Sequence, residues 1–216
     1  MTGDLKSAVA ESYRRLSQLG LNIGSAGNVS ARVGDRVLIT RTGATDAIDA
    51  DGVVEIDLDG AYEGDLAPSS EWEMHTAIYR AAPRAAAVVH THSDACTALA
   101  CLGEGLPPFH YMVLGFGGPD VRCAPYFTFG TPALAAAAAE AIQDRTACLL
   151  ANHGMICHGR SLEAAVATAL RLETLARQYL MARAVAPPKL LSPEQVAEAQ
   201  ERFKTYGQPK AGRRIA

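Results

Sequence analysis

The chain has 216 residues, of which 49% are hydrophobic, and its formal net charge at pH 7 is −3. This length and composition are sufficient for one substantial core, so we predict a single domain over residues 1–216. The small negative charge gives no electrostatic basis for binding DNA or RNA, which excludes a nucleic-acid partner. The alanine-rich run at 133–139 is far too short to span a bilayer, so we expect no membrane partner.

The five cysteines form an odd set without a Cys-x-x-Cys pair, and most of them lie beside apolar residues. Cysteines in such surroundings behave as small core residues, which favours reduced thiols. The N-terminal residues contain no long apolar segment. These features together predict a cytoplasmic protein.

The N-terminal part of the chain begins with a helical pattern and continues with short strands. Apolar residues between Leu5 and Leu16 share one helical face, and Gly20 follows as a C-cap would. Gly34-Asp35 joins two strands in a hairpin. Ser70 and Glu73 have the spacing of a capping box, which predicts the start of another helix. In chain order we predict a helix at 4–19, strands at 29–33, 37–40 and 53–58, and a helix at 70–82.

The C-terminal part alternates strands and helices, and Pro83 and Pro132 mark two of the boundaries. We predict a strand at 86–91, a helix at 94–101, a strand at 121–124, a helix at 131–143, a strand at 146–151, and helices at 161–184 and 193–206. The polar and basic residues 207–216 are predicted to form a flexible tail. Several strands are joined by tight turns, which indicates an α/β fold with a central mixed, largely antiparallel sheet and helices on both faces.

Three histidines lie at the ends of apolar runs, and each run is predicted to be a strand. In Val88-Val89-His90-Thr91-His92, the two imidazoles leave the same face of a strand, so His90 and His92 can bind one ion. His153 follows a second apolar run. Three imidazoles without an obvious fourth protein ligand predict a divalent metal with one position open to substrate; zinc fits best, although cobalt, nickel or iron are compatible. The other histidines, which have no partner at ligand spacing, are expected at ordinary helix, loop and surface positions: His75, His110 and His158.

Glu71, at the start of the predicted 70–82 helix, has two interpretations. Its carboxylate can stabilise the positive end of the helix dipole, or it can act as a general base beside the metal. Three loops could also hold an anion, since backbone amides and hydroxyls at such turns bind phosphate. Each of these loops is also an ordinary turn sequence: Gly27-Asn28, Thr42-Gly43 and Ser69-Ser70.

Several short motifs occur in order over nearly the whole chain. They are Ser25-Ala26-Gly27-Asn28-Val29-Ser30, Pro68-Ser69-Ser70-Glu71-Trp72, Val88-Val89-His90-Thr91-His92, His110-Tyr111-Met112, Cys123-Ala124-Pro125-Tyr126 with Phe129-Gly130-Thr131, Leu149-Leu150-Ala151-Asn152-His153-Gly154, and Phe203-Lys204-Thr205-Tyr206-Gly207. Together these motifs resemble the class II aldolase/adducin family. The resemblance implies a three-layer α/β/α sandwich, a cyclic homotetramer, and active sites at subunit interfaces.

The resemblance also implies roles for individual residues. It makes His90, His92 and His153 the ligands of a Zn²⁺ ion and Glu71 the general acid/base. Tyr111 corresponds to a tyrosine that reaches from a neighbouring subunit to protonate the aldehyde oxygen. The residues expected to hold the substrate phosphate are Asn28, Thr42, Gly43, Ser69 and Ser70. The residues expected to line the aldehyde end are Phe129, Phe203 and Tyr206.

The activity implied by the resemblance is cleavage of a ketose 1-phosphate, a small phosphorylated sugar, into dihydroxyacetone phosphate and an aldehyde. The stretch Val113-Leu114-Gly115-Phe116 departs from an alanine-rich sequence in the family and adds a phenylalanine near Tyr111. The substrate therefore stays open among L-fuculose 1-phosphate, 5-deoxyribulose 1-phosphate and methylthioribulose 1-phosphate. The last two have the less polar aldehyde end, which would suit Phe116, Phe129 and Phe203.

Three other functions are compatible with the resemblance. A pentulose-phosphate 4-epimerase would use the same metal, but such enzymes carry aspartate where this chain has Glu71. A methylthioribulose-phosphate dehydratase is a second enzyme alternative. The third alternative is a non-catalytic adducin-like interaction domain, against which the intact histidines and Glu71 argue.

Overall fold

A computed structural model describes residues 2–203 and 205 of the chain. The helices are α1 Thr2–Gln18, α2 Trp72–Ala81, α3 Asp94–Cys101, α4 Pro132–Ala141, α5 Leu162–Val185 and α6 Pro193–Phe203. The strands are β1 Asn28–Val33, β2 Arg36–Thr40, β3 Val53–Asp57, β4 Ala87–Thr91, β5 Cys123–Ala124, β6 Ala147–Leu150 and β7 Gly154–Gly159. Short 3-10 helices lie at Ala50–Gly52 and Tyr111–Phe116.

The described strands form one seven-stranded sheet in the order β3-β2-β1-β4-β7-β6-β5. All neighbouring pairs are antiparallel except β5 and β6, which are parallel. The predicted mixed, largely antiparallel sheet is therefore confirmed. The sheet puts β4, which carries His90, between β1 and β7 at its centre.

Apolar side chains cover both faces of the sheet because strand residues alternate between them. Val88 and Leu150 belong to a core cluster that packs under α2 and α4, whereas Val89 and Leu149 belong to a second cluster under α1, α3 and α5. Helices thus lie on both faces, and the predicted three-layer α/β/α sandwich is confirmed. No helix among the described residues is both long and apolar enough to cross a membrane.

The structure corrects two local predictions. Strand β7 was not predicted, because glycine occupies both of its ends and only Ile156 between them is a residue type enriched in strands. The capping box at Ser70 is also wrong. Helix α2 begins at Trp72, its N-cap position Glu71 makes no side-chain capping bond, and the Ser69 hydroxyl instead accepts the Glu71 N–H at 3.3 Å. The predicted tail, 207–216, lies outside the described residues.

Candidate metal centre

Four side chains from three separate parts of the fold converge at one end of the sheet. His90 is in β4, His92 follows it directly, His153 lies in the turn between β6 and β7, and Glu71 precedes α2. One potential ligand atom from each residue lies within 4.8 Å of those of the other three. The alternation of strand side chains therefore brings His90 and His92 to the same place, as predicted, and the sheet topology adds His153.

The three imidazole rings surround a common point. Their centroids are 4.8 to 4.9 Å apart and their planes are inclined by 73° to 78° to one another. The Nε2 atoms of His90 and His92 are 2.9 Å apart. The two Glu71 carboxylate oxygens approach the same centre, since Oε2 lies 3.2 Å from His90 Nε2 and Oε1 lies 3.2 Å from His153 Nε2.

The hydrogen bonds of this cluster leave lone pairs directed at its centre. His90 donates its Nδ1–H to the carbonyl oxygen of Met155 at 2.8 Å, so the Nε2 of the neutral ring carries a lone pair. Glu71 Oε1 is buried and makes no hydrogen bond among the described residues. A buried anionic oxygen and a facing imidazole lone pair are the donor set of a divalent cation, with a backbone carbonyl orienting the ligand ring. The cluster can therefore hold a divalent metal.

The charge state of the cluster also suits metal binding. Burial opposes ionisation of Glu71, but the neighbouring His90 and His153 outweigh it and hold the Glu71 pKa well below its usual range. Burial lowers the pKa of His92 to about 4, with a further contribution from the charges of His90 and His153. At pH 7 the cluster thus presents a carboxylate and a neutral His92 imidazole, the forms that bind metal. Burial opposes protonation of His90, but Glu71 outweighs it and raises the pKa of His90, so a bound cation would displace a proton from that ring.

The turn that carries His153 has an unusual backbone. Asn152 adopts a left-handed conformation with φ of 54°, which asparagine tolerates better than most residues. Gly154 lies against β4, and a Cβ atom there would be 2.4 Å from the carbonyl oxygen of Thr91 and 3.2 Å from the His92 ring. The turn therefore fits closely against the strand that carries the other two histidines.

The segment after His92 is held from the opposite side by α5. Glu173 is buried, and its carboxylate accepts the backbone N–H groups of Ala95 at 3.0 Å and Cys96 at 2.9 Å. Burial opposes ionisation of Glu173, but these two N–H groups outweigh it and lower its pKa. The first turn of α3 is thus capped by a charge from another helix, a feature that sequence reasoning did not find.

A cavity of about 330 Å³ opens beside the cluster. Its lining includes Glu71, His92 and His153. It also includes all of the residues expected to hold a phosphate, namely Asn28, Thr42, Gly43, Ser69 and Ser70, and one residue expected at the aldehyde end, Phe129. The lining further includes Arg41, a cation that the sequence analysis missed although it directly precedes Thr42.

Of the three other histidines, His110 lies in a loop as expected, whereas His158 lies partly buried in β7 and His75 is fully buried in α2. His110 and His158 lie outside the cluster and make hydrogen bonds with the backbone of Met112 and Arg145. His75 was expected to be an ordinary helix residue, but it is fully buried and its Nε2 lies 2.5 Å from Asn28 Oδ1. Asn28 in turn donates from Nδ2 to Glu71 Oε2 at 3.0 Å. His75 is therefore connected to the cluster through Asn28.

Tyr111 and Phe203, which were also predicted at the aldehyde end, lie elsewhere. Tyr111 and Phe203 line a second cavity, and their ring centroids are 6.2 Å apart. The structure does not bring them to Glu71 within one chain. Phe116 is fully buried in the core under α1, α3 and α5, so the expectation that it suits the aldehyde pocket is wrong. Tyr206 lies outside the described residues.

Comparison with known proteins identifies the class of protein to which this fold and site belong. The sequence-family model of the class II aldolase and adducin N-terminal domain matches residues 7–180. The chain therefore belongs to this family. The predicted class, a metal-binding aldehyde-lyase of the class II aldolases, is confirmed by this match and by the relatives described next.

Two curated relatives and one solved structure resemble the chain over nearly all of its length. A 5-methylthioribulose-1-phosphate/5-deoxyribulose-1-phosphate aldolase from Rhodospirillum rubrum is 45% identical over 204 residues, which are 94% of this chain and 92% of the relative. An L-fuculose phosphate aldolase from Escherichia coli is 42% identical, covering 94% of this chain and 95% of the relative. The solved structure of an L-fuculose 1-phosphate aldolase has a TM-score of 0.88 and 36% identity, covering 93% of this chain and 96% of that one.

Proposed function

We propose that this protein is a zinc-dependent aldolase that reversibly cleaves a ketose 1-phosphate into dihydroxyacetone phosphate and an aldehyde. The observation that carries the proposal is the position of the Glu71 carboxylate, in contact with His90 and His153 at the side of a cavity rich in hydroxyls and turn amides. Such a site combines an acid/base group with a cradle for an anion, and both are needed for this reaction.

His90, His92 and His153 would hold the metal. Three imidazoles with an open position favour zinc over harder cations. When bound, the ion would supply an electrophile that stabilises the negative charge developing on the enediolate oxygens, an effect of several kcal/mol.

Glu71 would move the proton at the carbon whose bond to the aldehyde carbon breaks. In the synthetic direction the ionised carboxylate removes that proton from dihydroxyacetone phosphate. In the cleavage direction the carboxylate first takes up the proton released by a substrate hydroxyl and then returns it to the enediolate carbon. A base must be ionised at neutral pH, and the neighbouring histidines hold the pKa of Glu71 low despite its burial. This electrostatic environment supports the assignment.

The phosphate would lie against the turns at the other side of the cavity. Arg41 supplies a positive charge, Thr42-Gly43 an exposed turn, and Ser69-Ser70 hydroxyls close to the start of α2. Contacts of this kind fix the substrate relative to Glu71 without touching the bond that breaks, and so raise the effective concentration of the reacting groups. Asn28, whose Nδ2 contacts Glu71, connects this side to the metal centre.

The aldehyde end would be completed by a second copy of the chain. Tyr111, Phe203 and Tyr206 are assigned to this end by family resemblance, and Tyr111 is 52% exposed in a cavity separate from Glu71. We therefore propose a homotetramer in which Tyr111 of one subunit protonates the aldehyde oxygen in the site of its neighbour. The cytoplasmic location and the single-domain organisation stay predictions from the sequence.

The aromatic lining of the cavity supports one choice among the candidate aldehydes. Phe129 and its neighbours Tyr126 and Phe127 line the mouth of the cavity, and Phe129 is 66% exposed. An apolar mouth favours a 5-deoxy or methylthio group over a more polar aldehyde end. The relatives named for methylthioribulose 1-phosphate, 5-deoxyribulose 1-phosphate and L-fuculose phosphate define the compounds to compare.

A coupled assay for dihydroxyacetone phosphate with L-fuculose 1-phosphate, 5-deoxyribulose 1-phosphate and methylthioribulose 1-phosphate tests the proposal. We expect release of dihydroxyacetone phosphate from at least one of them, loss of the activity after chelation, and its return with Zn²⁺. Consumption of substrate without dihydroxyacetone phosphate would instead indicate the epimerase or dehydratase. A protein that binds no metal and turns over none of the three would indicate an adducin-like interaction domain.

A further inference from the structure

A row of buried polar side chains leads from Glu71 away from the cavity and into the protein. Asn28 Nδ2 lies 3.0 Å from Glu71 Oε2, and Asn28 Oδ1 lies 2.5 Å from His75 Nε2. His75 Nδ1 is 2.7 Å from Ser30 Oγ, which is 2.8 Å from the Tyr79 hydroxyl. We call these five residues the buried network. Its members are 0% to 7% exposed, so water cannot replace a lost partner cheaply.

Regular secondary structure builds the buried network. Asn28 and Ser30 are two residues apart in β1 and therefore point to the same face of the sheet. His75 and Tyr79 are four residues apart in α2 and therefore lie on the same side of the helix. Asn28 is also the register partner of His90 on the neighbouring strand β4. The network therefore lies beside a predicted metal ligand.

The direction of every hydrogen bond in the network is determined at its Glu71 end. An ionised carboxylate can only accept, so Asn28 donates from Nδ2 and its Oδ1 faces His75. Oδ1 can only accept, so His75 donates from Nε2–H. The Nδ1 of a neutral ring must then accept from the Ser30 hydroxyl, whose oxygen accepts from Tyr79.

We propose that His75, as the neutral Nε2–H tautomer, is a positioning residue that fixes the Asn28 amide so that Asn28 holds one oxygen of Glu71. The inference rests on the proposed function in that Glu71 is taken as the acid/base. Burial, with a further contribution from the charge of His90, lowers the pKa of His75 to about 3, in agreement with a neutral ring.

The proposed role of His75 has a consequence for proton transfer. Asn28 holds Oε2 of Glu71, whereas Oε1 has no hydrogen bond among the described residues and lies 3.2 Å from His153 Nε2. One carboxylate oxygen is therefore anchored and the other is left to carry the proton. Without the donor from His75, the buried Asn28 Oδ1 loses its partner, so the amide shifts and its hold on Glu71 Oε2 weakens. Turnover should then fall by more than phosphate binding does, because Thr42, Gly43, Ser69 and Ser70 still line the cavity.

Nitrogen NMR of the wild-type protein tests the tautomer directly. Long-range proton–nitrogen correlations of ¹⁵N-histidine-labelled enzyme distinguish the Nε2–H, Nδ1–H and charged forms, and His75→Gln assigns the His75 signals. We expect a neutral Nε2–H ring at pH 7. A ring protonated on Nδ1, or on both nitrogens, would overturn the inference. This readout does not depend on aldolase activity, so it separates the inference from the proposed function.

Two substitutions at the same position test the effect on turnover. His75→Phe removes the donor, and we expect kcat to fall by at least about tenfold with a smaller change in KM. His75→Gln restores an N–H donor, and we expect kcat within about threefold of wild type. The matched control is Thr76→Val, which removes a buried hydroxyl of the same helix that contacts the Glu73 carbonyl and should leave kcat unchanged.

The outcomes separate a positioning role from a merely structural one. Equal kcat values for wild type and folded His75→Phe would overturn the inference, and so would a loss in His75→Gln as large as that in His75→Phe. If His75→Phe does not fold, His75→Gln carries the kinetic test alone, and a kcat loss of more than about tenfold in it contradicts the proposal. If the wild-type enzyme releases no dihydroxyacetone phosphate, the proposed function fails while the tautomer measurement still decides the network.

Discussion

The metal centre and the surface around Tyr111 are built in opposite ways. Glu71 and the three histidines come from β4, a β-turn and a helix start that the sheet brings together, and they lie buried or nearly so. Tyr111 and Met112 are exposed on a short 3-10 helix, in a cavity separate from Glu71. One chain thus completes the centre that can hold a metal and that, in the proposed function, moves a proton. Tyr111, which by family resemblance protonates the aldehyde oxygen, stays exposed. The proposed function therefore requires a second copy of the chain.

The largest effect expected at the buried centre comes from removing a ligand. His153→Ala should lose the metal and lower kcat/KM by about a thousandfold or more, because several kcal/mol of charge stabilisation disappear. Metal content by mass spectrometry and the dihydroxyacetone phosphate assay measure the two losses. The control is His158→Gln, in β7 but outside the cluster, which should keep both. Full activity in a metal-free His153→Ala protein would contradict the metal mechanism.

The next largest effect separates metal binding from proton transfer. Glu71→Gln should keep the metal, because the three imidazoles are intact, and should lower kcat by about a hundredfold to ten-thousandfold, the usual contribution of an acid/base group. Glu73→Gln, two residues away on α2, is the matched control and should retain turnover. If Glu71→Gln were as active as wild type, another group would have to move the proton.

Mixed oligomers test whether the exposed tyrosine acts in a neighbouring site. Tyr111→Phe and Glu71→Gln should each be weakly active alone, but coexpressed in equal amounts they should recover about a quarter of wild-type activity. Half of the sites would then have Glu71, and half of those would receive Tyr111 from a neighbour. Activity no higher than the average of the two parents would place Tyr111 outside the neighbour's site or outside catalysis.

The smallest effect concerns the support of the buried centre by α5. Glu173→Gln should reduce the free energy of unfolding at pH 7 by about 1 to 3 kcal/mol, because the single oxygen of a buried amide cannot replace the two carboxylate oxygens that accept the Ala95 and Cys96 N–H groups.

This contribution of Glu173 should depend on pH. The Glu173 pKa is lowered in the folded protein, so its contribution is present above the pKa of the unfolded chain and is lost as the pH falls through the pKa of the folded protein. Urea unfolding in chelator should therefore give a smaller difference between variant and wild type in acid. A pH-independent difference would contradict this assignment.

Local patterns predicted the parts of the site that depend on the direction of a single strand. His90 and His92 could be paired from the alternation of strand side chains, and His153 from its position after an apolar run. The buried network could not be predicted in this way. His75 meets Asn28 only because α2 packs on the face of β1, and no residue near His75 in the sequence indicates that contact. The tertiary arrangement also placed Phe116 in the core, whereas the capping-box prediction failed locally, since Ser69 and not Ser70 accepts a backbone N–H at the start of α2.

The turn at 152–154 limits how this enzyme can be altered in the laboratory. Only glycine fits at 154 without a clash with Thr91, and a left-handed backbone at 152 disfavours β-branched residues. Libraries that randomise this turn should therefore yield few active clones. The aromatic residues at 126, 127 and 129 are exposed at the mouth of the cavity, so directed evolution toward new aldehydes can vary them at little expense to folding.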